Sequence, residues 1–386
     1  MIELFKPYIT RKEISEVSKV LLSGWTGLGP KTKEFEDRFA AFSDTKYAIA
    51  VNSCTAALDL SLKLIDIKKH DEVIVPTMTF VSTAHVVLHN NARLVFCDID
   101  KNTMLADIED IKRKINKKTK AIIIVHYGGQ LFKLFDLRKH LQEIGRQDIK
   151  IIEDCAHACG SSMYFPIGDI YPAGSIGDIG CFSFHSVKNL SIGDGGMIVT
   201  NRKDWAERAK KLRWLGIDKG TWDRSKVDKS YWWEYSCDEI GYKCHMNDIS
   251  AAIGIVQLNR LEDMNKRRAS IAKRYTKTLD KLLLDKKIYG YTRCNNYDLC
   301  SWHLFWIRIK NRDELILKLK DNNISAGVHY KPIHMYKCYG EKQPCPEAEN
   351  VWTELISLPI HPQLKNKDID KVLKTIQEFI ENGYKR

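Results

Sequence analysis

Polar and apolar positions alternate in two rhythms along the first part of the chain. Short apolar runs, Tyr47 to Val51, Glu72 to Val75, Arg93 to Cys97, Ala121 to Val125 and Ile149 to Ile152, have the length and β-branched content of buried strands. Between them lie stretches of helical spacing, such as Ala56 to Ile65 and Ile108 to Ile115. This alternation predicts an α/β fold, a mainly parallel sheet with helices on both faces. Ahead of it, Thr10-Arg-Lys-Glu13 has the form of a capping box opening a helix to about Leu22, and a second helix follows Pro30. Further on, the apolar run Ile179 to Phe184 and the segment Gly195-Gly-Met-Ile-Val-Thr200 read as two strands around a turn-rich middle.

The second part of the chain has a different texture. Gly216 to Tyr242, rich in Trp, Tyr and charge, reads as a loop or insertion over a site, with Trp232 and Trp233 either packing at a subunit interface or facing a ligand. A helical pattern from Asn247 to Leu284 leads out of a large domain. Strand-like Leu304 to Ile309 and helical Ile369 to Ile380 belong to a smaller α+β unit. The expected division is residues 1–250 and residues 251–386.

Composition narrows the class. At 386 residues, 44% hydrophobic and 28% charged, the chain can bury a substantial core. No apolar run approaches the ~18 residues of a membrane span, and Met1-Ile-Glu-Leu-Phe-Lys lacks the order of a signal peptide. Eleven cysteines without a C-x-x-C pair fit reduced thiols in a cytoplasmic enzyme better than a disulfide framework or a zinc site. Cys155 and Cys159 flank His157 without a matching second pair, so no metal is expected. The net charge of +12 is spread through mixed-charge helical stretches such as Arg202 to Arg213, which argues against nucleic acid and is compatible with an anionic small substrate.

The chemistry concentrates in separate segments. Lys188 stands among small, aromatic and glycine residues in Cys181 to Thr200, where a reactive lysine competes with a solvated loop lysine as the reading; Ser183, before it, offers a hydroxyl to an anion. Within Ile149 to His157 a hydrophobic strand delivers Glu153 and Asp154 at its C-terminal end, where ligands collect in open α/β sheets. A carboxylate there either holds a protonated pyridine nitrogen or caps the next helix. Ser53, Cys54 and Thr55 open a helix with small residues, a place suited to phosphate or to a simple cap. Phe80, at another strand end, offers a face to a flat ring or packs structurally. Phosphate cradle, aromatic lid, carboxylate and lysine are together what pyridoxal phosphate uses.

With these residues the chain resembles the DegT/StrS family of nucleotide-sugar aminotransferases, pyridoxal-phosphate enzymes of the aspartate aminotransferase fold. The likeness runs almost end to end: Gly24-Trp-Thr-Gly-Leu-Gly-Pro30, Phe35-Glu36, Asn52 to Leu58, Asp71 to Phe80, His126-Tyr-Gly-Gly129, Glu153 to His157, Ser183 to Gly196, Gly241 to Gly254 and Val328 to His334. It implies that Lys188 bonds the cofactor covalently and shuttles the proton, that Asp154 pairs with the pyridinium nitrogen, and that Ser53, Cys54 or Thr55 with Ser183 hold the phosphate. It places Phe80 on the ring and His157 near the cofactor's phenolic oxygen. Trp25, His329, Tyr330 and His334 are implied on the substrate side, in a homodimer whose active sites draw on both subunits. Where relatives carry Gly-Tyr-Asn, with the Asn reaching the neighbour's phosphate, this chain has Gly241-Tyr242-Lys243, whose lysine either takes over that cofactor contact as a point charge or faces solvent. Asp194 replaces a commoner Glu, and Lys133 a commoner acidic residue. Related sugar 3-dehydratases carry His in place of the lysine, so Lys188 favours transamination. The implied reaction is ping-pong transfer from L-glutamate to a nucleotide-linked keto-deoxysugar, a 4-keto-6-deoxyhexose carried by dTDP, UDP or GDP before a 3-keto sugar. Another pyridoxal-phosphate reaction and a non-catalytic binding or regulatory protein of the same fold are the alternatives.

Overall fold

In a computed structural model the chain is described at all positions except 166–167, 221, 223, 225–232, 295, 341–342 and 384–386. The apolar runs form strands: β1 (Tyr47–Val51), β2 (Glu72–Pro76), β3 (Arg93–Cys97), β4 (Thr119–Val125) and β5 (Lys150–Asp154). A small hairpin, β6 (Ser162–Tyr164) and β7 (Ile170–Pro172), precedes β8 (Ile179–Ser183) and β9 (Gly196–Thr200). One seven-stranded sheet results, in the order β1-β9-β8-β5-β4-β2-β3. Strands β3, β2, β4, β5 and β8 run parallel, and β9 alone is antiparallel to its neighbours β8 and β1.

Successive residues of a strand point to opposite faces, and here both faces are buried. Ile49, Val73, Val75 and Ile123 pack with Leu58 of helix Cys54–Leu64 and with Trp205 of helix Lys203–Leu212. On the other face Ala48 and Ala50 meet Phe35 and Phe39 of helix Pro30–Phe42, while Ile74, Ile122 and Ile124 meet Leu137 and Leu141 of helix Leu134–Glu143. The expected α/β architecture with a mainly parallel, doubly covered sheet is therefore what the chain adopts. Helix Lys203–Leu212 buries Trp205, Ala206, Ala209 and Leu212 and turns its charges outward, as the mixed-charge pattern implied.

The Thr10 capping box forms, with the Glu13 carboxylate accepting the Thr10 amide at 2.8 Å, and opens helix Arg11–Ser23. The long helix Asp248–Leu284 is a spine between cores: Ala251, Ile255 and Leu261 pack beneath the large sheet, whereas Ile271, Tyr275 and Leu279 pack with the C-terminal part. That part is a three-stranded antiparallel sheet, β10 (Gly290–Tyr291), β11 (Phe305–Arg308) and β12 (Leu355–Leu358), backed by helices Arg312–Asp321 and Asn366–Gly383. Ile2 bridges to Ile324, so the start of the chain lies on this smaller sheet's side.

At the other end of the long helix, Asp248 accepts the amides of Gly29, Lys31 and Thr32 at 2.9–3.0 Å and thereby caps helix Pro30–Phe42. This fixes the Gly24 to Pro30 loop against the start of the long helix. In the segment from Gly216 to Tyr242, Ile217 bridges to Cys237 and Trp233 is exposed, while Trp232 lies outside the described residues. Among the described residues no helix is long and apolar enough to cross a membrane.

Candidate active site

The carboxyl ends of β4, β5 and β8 meet the N-terminus of helix Cys54–Leu64 around a cavity of about 340 Å³. Ser53, Cys54, Thr55 and Phe80 line one side, and Asp154, His157, Ser183 and Lys188 the floor and wall. His329 and Tyr330 reach it from the C-terminal part. Thus ten of the residues singled out in the sequence share one cavity.

Lys188 follows β8 in a turn whose amide donates to the His185 carbonyl at 2.8 Å. Its ammonium is buried, which lowers its pKa to about 8 against the opposing pull of the Asp154 carboxylate. Near neutral pH the amine is within reach of its neutral, nucleophilic form. Asp154 ends β5 beside β8, registered with Cys181. Its Oδ1 accepts the Ala156 amide at 3.1 Å and its Oδ2 the Thr83 hydroxyl at 2.9 Å. Burial nevertheless raises its pKa, against the lowering pull of these two hydrogen bonds and of the Lys188 charge.

At the helix end, Ser53 acts as the N-cap: its Oγ accepts the Ala56 amide at 3.1 Å. The hydroxyl oxygen thus caps the helix as an acceptor, a role compatible with its O–H donating to an anion, while the first-turn amides of Cys54 and Thr55 belong to the group that a helix leaves without an intrahelical partner. The Cys54 thiol turns inward, 3.9 Å from Asp154 Oδ1 and 3.6 Å from the Cys181 carbonyl, so what Cys54 can offer an anion is its backbone. Gly196 begins β9 directly against this turn. A Cβ there would fall 2.7 Å from the Cys54 nitrogen, so only glycine permits the approach.

His157 accepts the Gly128 amide on Nδ1 at 3.3 Å, which puts its proton on Nε2, 3.0 Å from the Tyr330 hydroxyl. Burial holds the ring neutral by pushing its pKa well down. His329 is likewise lowered to about 4 by burial and the Lys188 charge, and its Nδ1 lies 3.0 Å from Ser357 Oγ. Phe80 is 59% exposed at the cavity rim, a face available to a flat ring.

Three of the singled-out residues stand elsewhere. His334 is buried with both ring nitrogens engaged, Nδ1 by the Thr77 hydroxyl and Nε2 by Glu349 at 3.0 Å, and ties its loop to the end of β2. Against the expectation of a substrate contact, it does not line the cavity. Trp25 donates its indole N–H to the Leu28 carbonyl at 3.1 Å and packs edge-on to Trp222. With Lys243, whose ammonium lies 4.6 Å from the Trp214 ring centre, it lines a separate cavity of about 360 Å³.

The structure also adds residues that the sequence did not mark. Asn189, beside Lys188, donates to Asn265 Oδ1 at 2.9 Å and to the Ser301 carbonyl at 2.6 Å, and its Oδ1 lies 3.0 Å from His303 Nδ1. His303 in turn packs on His157 with ring centres 4.3 Å apart. Asn189 carried a signal by its position next to Lys188; His303, distant in sequence, carried none. His126, Glu153 and Cys155 bring ligand-type atoms together, but both His126 ring nitrogens are engaged, by the Phe132 amide and by Glu153 at 2.8 Å.

These residues fit pyridoxal phosphate: first-turn amides at a helix N-terminus for the phosphate, a buried carboxylate for a cationic ring nitrogen, and a buried lysine of lowered pKa for the aldehyde carbon. Comparison with known proteins agrees. Residues 7–377 match the DegT/DnrJ/EryC1/StrS aminotransferase family. The spore coat polysaccharide biosynthesis protein SpsC of Bacillus subtilis is 37% identical over 98% of this chain and 96% of its own. Among solved structures, the aminotransferase TlmJ of Streptoalloteichus hindustanus superposes with TM-score 0.90 at 31% identity, over 100% of both chains. The sugar aminotransferase Spr1654 of Streptococcus pneumoniae, described as putative, does so in its PMP form with TM-score 0.89 at 31% identity, over 99% of both. The chain belongs to the DegT/DnrJ/EryC1/StrS aminotransferase family and is a pyridoxal-phosphate-dependent sugar aminotransferase.

Proposed function

We propose that the enzyme moves the amino group of L-glutamate to a nucleotide-linked keto-deoxysugar, a 4-keto-6-deoxyhexose before a 3-keto sugar. The observation that carries this reading is the shared cavity in which buried Lys188, lowered to about 8, lies within the field of Asp154. When bound, the cofactor supplies an electron sink for the negative charge that develops at the amino-bearing carbon.

Each residue has a role in that reading. Lys188 attaches the cofactor, and once displaced by the donor's amine it takes a proton from the donor's α-carbon and later returns one to the sugar carbon. Asp154 keeps the ring nitrogen protonated by facing it with a negative charge in a poorly solvated place. The Cys54 and Thr55 amides, with the Ser53 and Ser183 hydroxyls, hold the phosphate. Phe80 covers the ring, and His157 with Tyr330 bounds the side where the phenolic oxygen would lie. His329 and Tyr330 face the sugar from the C-terminal part.

Trp25 and Lys243 serve, in this reading, the active site of a second copy of the chain. Their common cavity, apart from that of Lys188, supports the reading, since a homodimer can bring one subunit's loop to the other's site. A net charge of +12 favours an anionic sugar nucleotide. The test is a panel of dTDP-, UDP- and GDP-linked 4-keto and 3-keto deoxysugars, incubated with cofactor and L-glutamate and followed by mass spectrometry. Amination of a 4-keto member is expected. Amination of free sugars or 2-oxo acids in preference to every sugar nucleotide would overturn the assignment.

A further inference from the structure

Asp154 is backed by a chain of hydroxyls. Its Oδ2 accepts from Thr83 Oγ1 at 2.9 Å, and Thr83 Oγ1 stands 2.9 Å from Thr79 Oγ1. A hydroxyl has one hydrogen, and an ionised carboxylate only accepts. Thr83 commits its hydrogen to Asp154, so on the next link Thr79 donates and Thr83 accepts. Both O–H dipoles then point the same way, positive ends toward the carboxylate, and each strengthens the other. Thr79, Thr83 and Asp154 are all buried, so water does not substitute for these bonds.

The two threonines sit where they can hold the carboxylate's direction. Thr79 lies between the end of β2 and helix Ser82–His89 and lines the cavity; Thr83 is on the first turn of that helix. Asp154 Oδ1 is fixed by its own turn, through the Ala156 amide. Thr83 therefore supplies the bond that anchors the second oxygen from a different element. A threonine that merely satisfied itself within its helix would bond the backbone of a preceding turn, whereas this one reaches from its helix to the end of β5.

We propose that Thr83, with Thr79 behind it, is a positioning residue that keeps the Asp154 carboxylate ionised and aimed into the cavity at the cofactor's ring nitrogen. This rests on the reading of Asp154 as the partner of that nitrogen. The test compares Thr83→Val, which keeps the shape and removes the hydroxyl, with Thr83→Ser, which restores it. Each protein is loaded with pyridoxal phosphate labelled with 15N in the ring, and the nitrogen's NMR shift reports its protonation; absorbance titration gives the cofactor's Kd.

In Thr83→Val the nitrogen signal moves toward the unprotonated position and affinity falls on the order of tenfold, the effect of losing one bond to a charged group. Thr83→Ser returns both toward wild type. An unchanged signal and Kd in Thr83→Val overturns the proposal. Should that variant not fold, Thr79→Val removes the outer hydroxyl alone and is expected to shift the signal in the same direction by less; no shift overturns the proposal equally. Asp154→Asn separates the two levels. If it leaves the nitrogen protonated, the assignment of Asp154 falls and the proposal with it; if it deprotonates the nitrogen while the threonine variants do not, only the proposal falls.

Discussion

Glu153 and Asp154 are consecutive in β5, and their carboxylates serve opposite sides of the sheet. Glu153 accepts from His126 Nε2 at 2.8 Å, from the Gly174 and Ile176 amides at 2.9 Å and from the Gly177 amide, so it clamps the turn that leads into β8. Asp154 faces the cavity. The two-residue period of a strand makes one carboxylate architectural and its neighbour available for chemistry.

That division sets a first prediction. Asp154→Asn keeps the shape and removes the charge. Cofactor is expected to remain bound while the rate falls about 10- to 100-fold, the worth of an interaction with a charged group in a poorly solvated site. Steady-state kinetics at saturating cofactor checks this; an unchanged kcat would contradict the pyridinium role.

The burial of Lys188 predicts a pH profile for the cofactor-free enzyme. Below about 8 the lysine carries its proton and cannot attack an aldehyde; above it the neutral amine prevails. The rate of covalent uptake of pyridoxal phosphate should therefore rise with pH, roughly tenfold per unit below the inflection, and level off above about 8. Stopped-flow absorbance gives the profile. An inflection at the ordinary lysine value would show that burial does not act on this amine.

His334 is expected to matter for stability and not for chemistry. Removing a buried side chain held by Thr77 and Glu349 leaves partners unpaired, at a cost of about 1–3 kcal/mol. His334→Ala should lower the denaturant midpoint while KM for the sugar nucleotide stays near wild type; a large rise in KM with unchanged stability would restore it to the substrate side.

Lys243 gives the dimer reading its test. Mixing Lys188→Ala protein with Lys243→Ala protein, then dissociating and reassociating the subunits, should change activity if hybrids form sites from both chains. Activity equal to that of the unmixed components would mean that each chain works alone.

Much of this architecture was legible in the residues. The runs Tyr47 to Val51 and Arg93 to Cys97 became strands with those bounds, because turn residues flank them. From its second residue the apolar run Ile149 to Ile152 lies in a strand, Lys150–Asp154, that ends on the two carboxylates expected at its C-terminal end, since a polar residue at a parallel strand's end still keeps its ladder bonds. Lys188 and Asp154 could be marked because a lysine and a carboxylate stand out among apolar neighbours. His334 shows the limit: a histidine near a strand end looks the same in sequence whether its nitrogens meet a ligand or Thr77 and Glu349. Thr83 and His303 were invisible for the converse reason, since an ordinary residue type gains its place only through contacts between distant segments.

The most direct test is the absorbance spectrum of the cofactor-loaded enzyme, wild type and Lys188→Ala, before and after L-glutamate. The account predicts a wild-type band for covalently held cofactor that borohydride abolishes, that L-glutamate converts to the band of the aminated cofactor, and that a keto-sugar nucleotide restores. Lys188→Ala should lack the borohydride-sensitive link and any turnover. A wild-type spectrum that does not respond to L-glutamate would contradict the donor, and full turnover by Lys188→Ala would contradict the central role of this lysine.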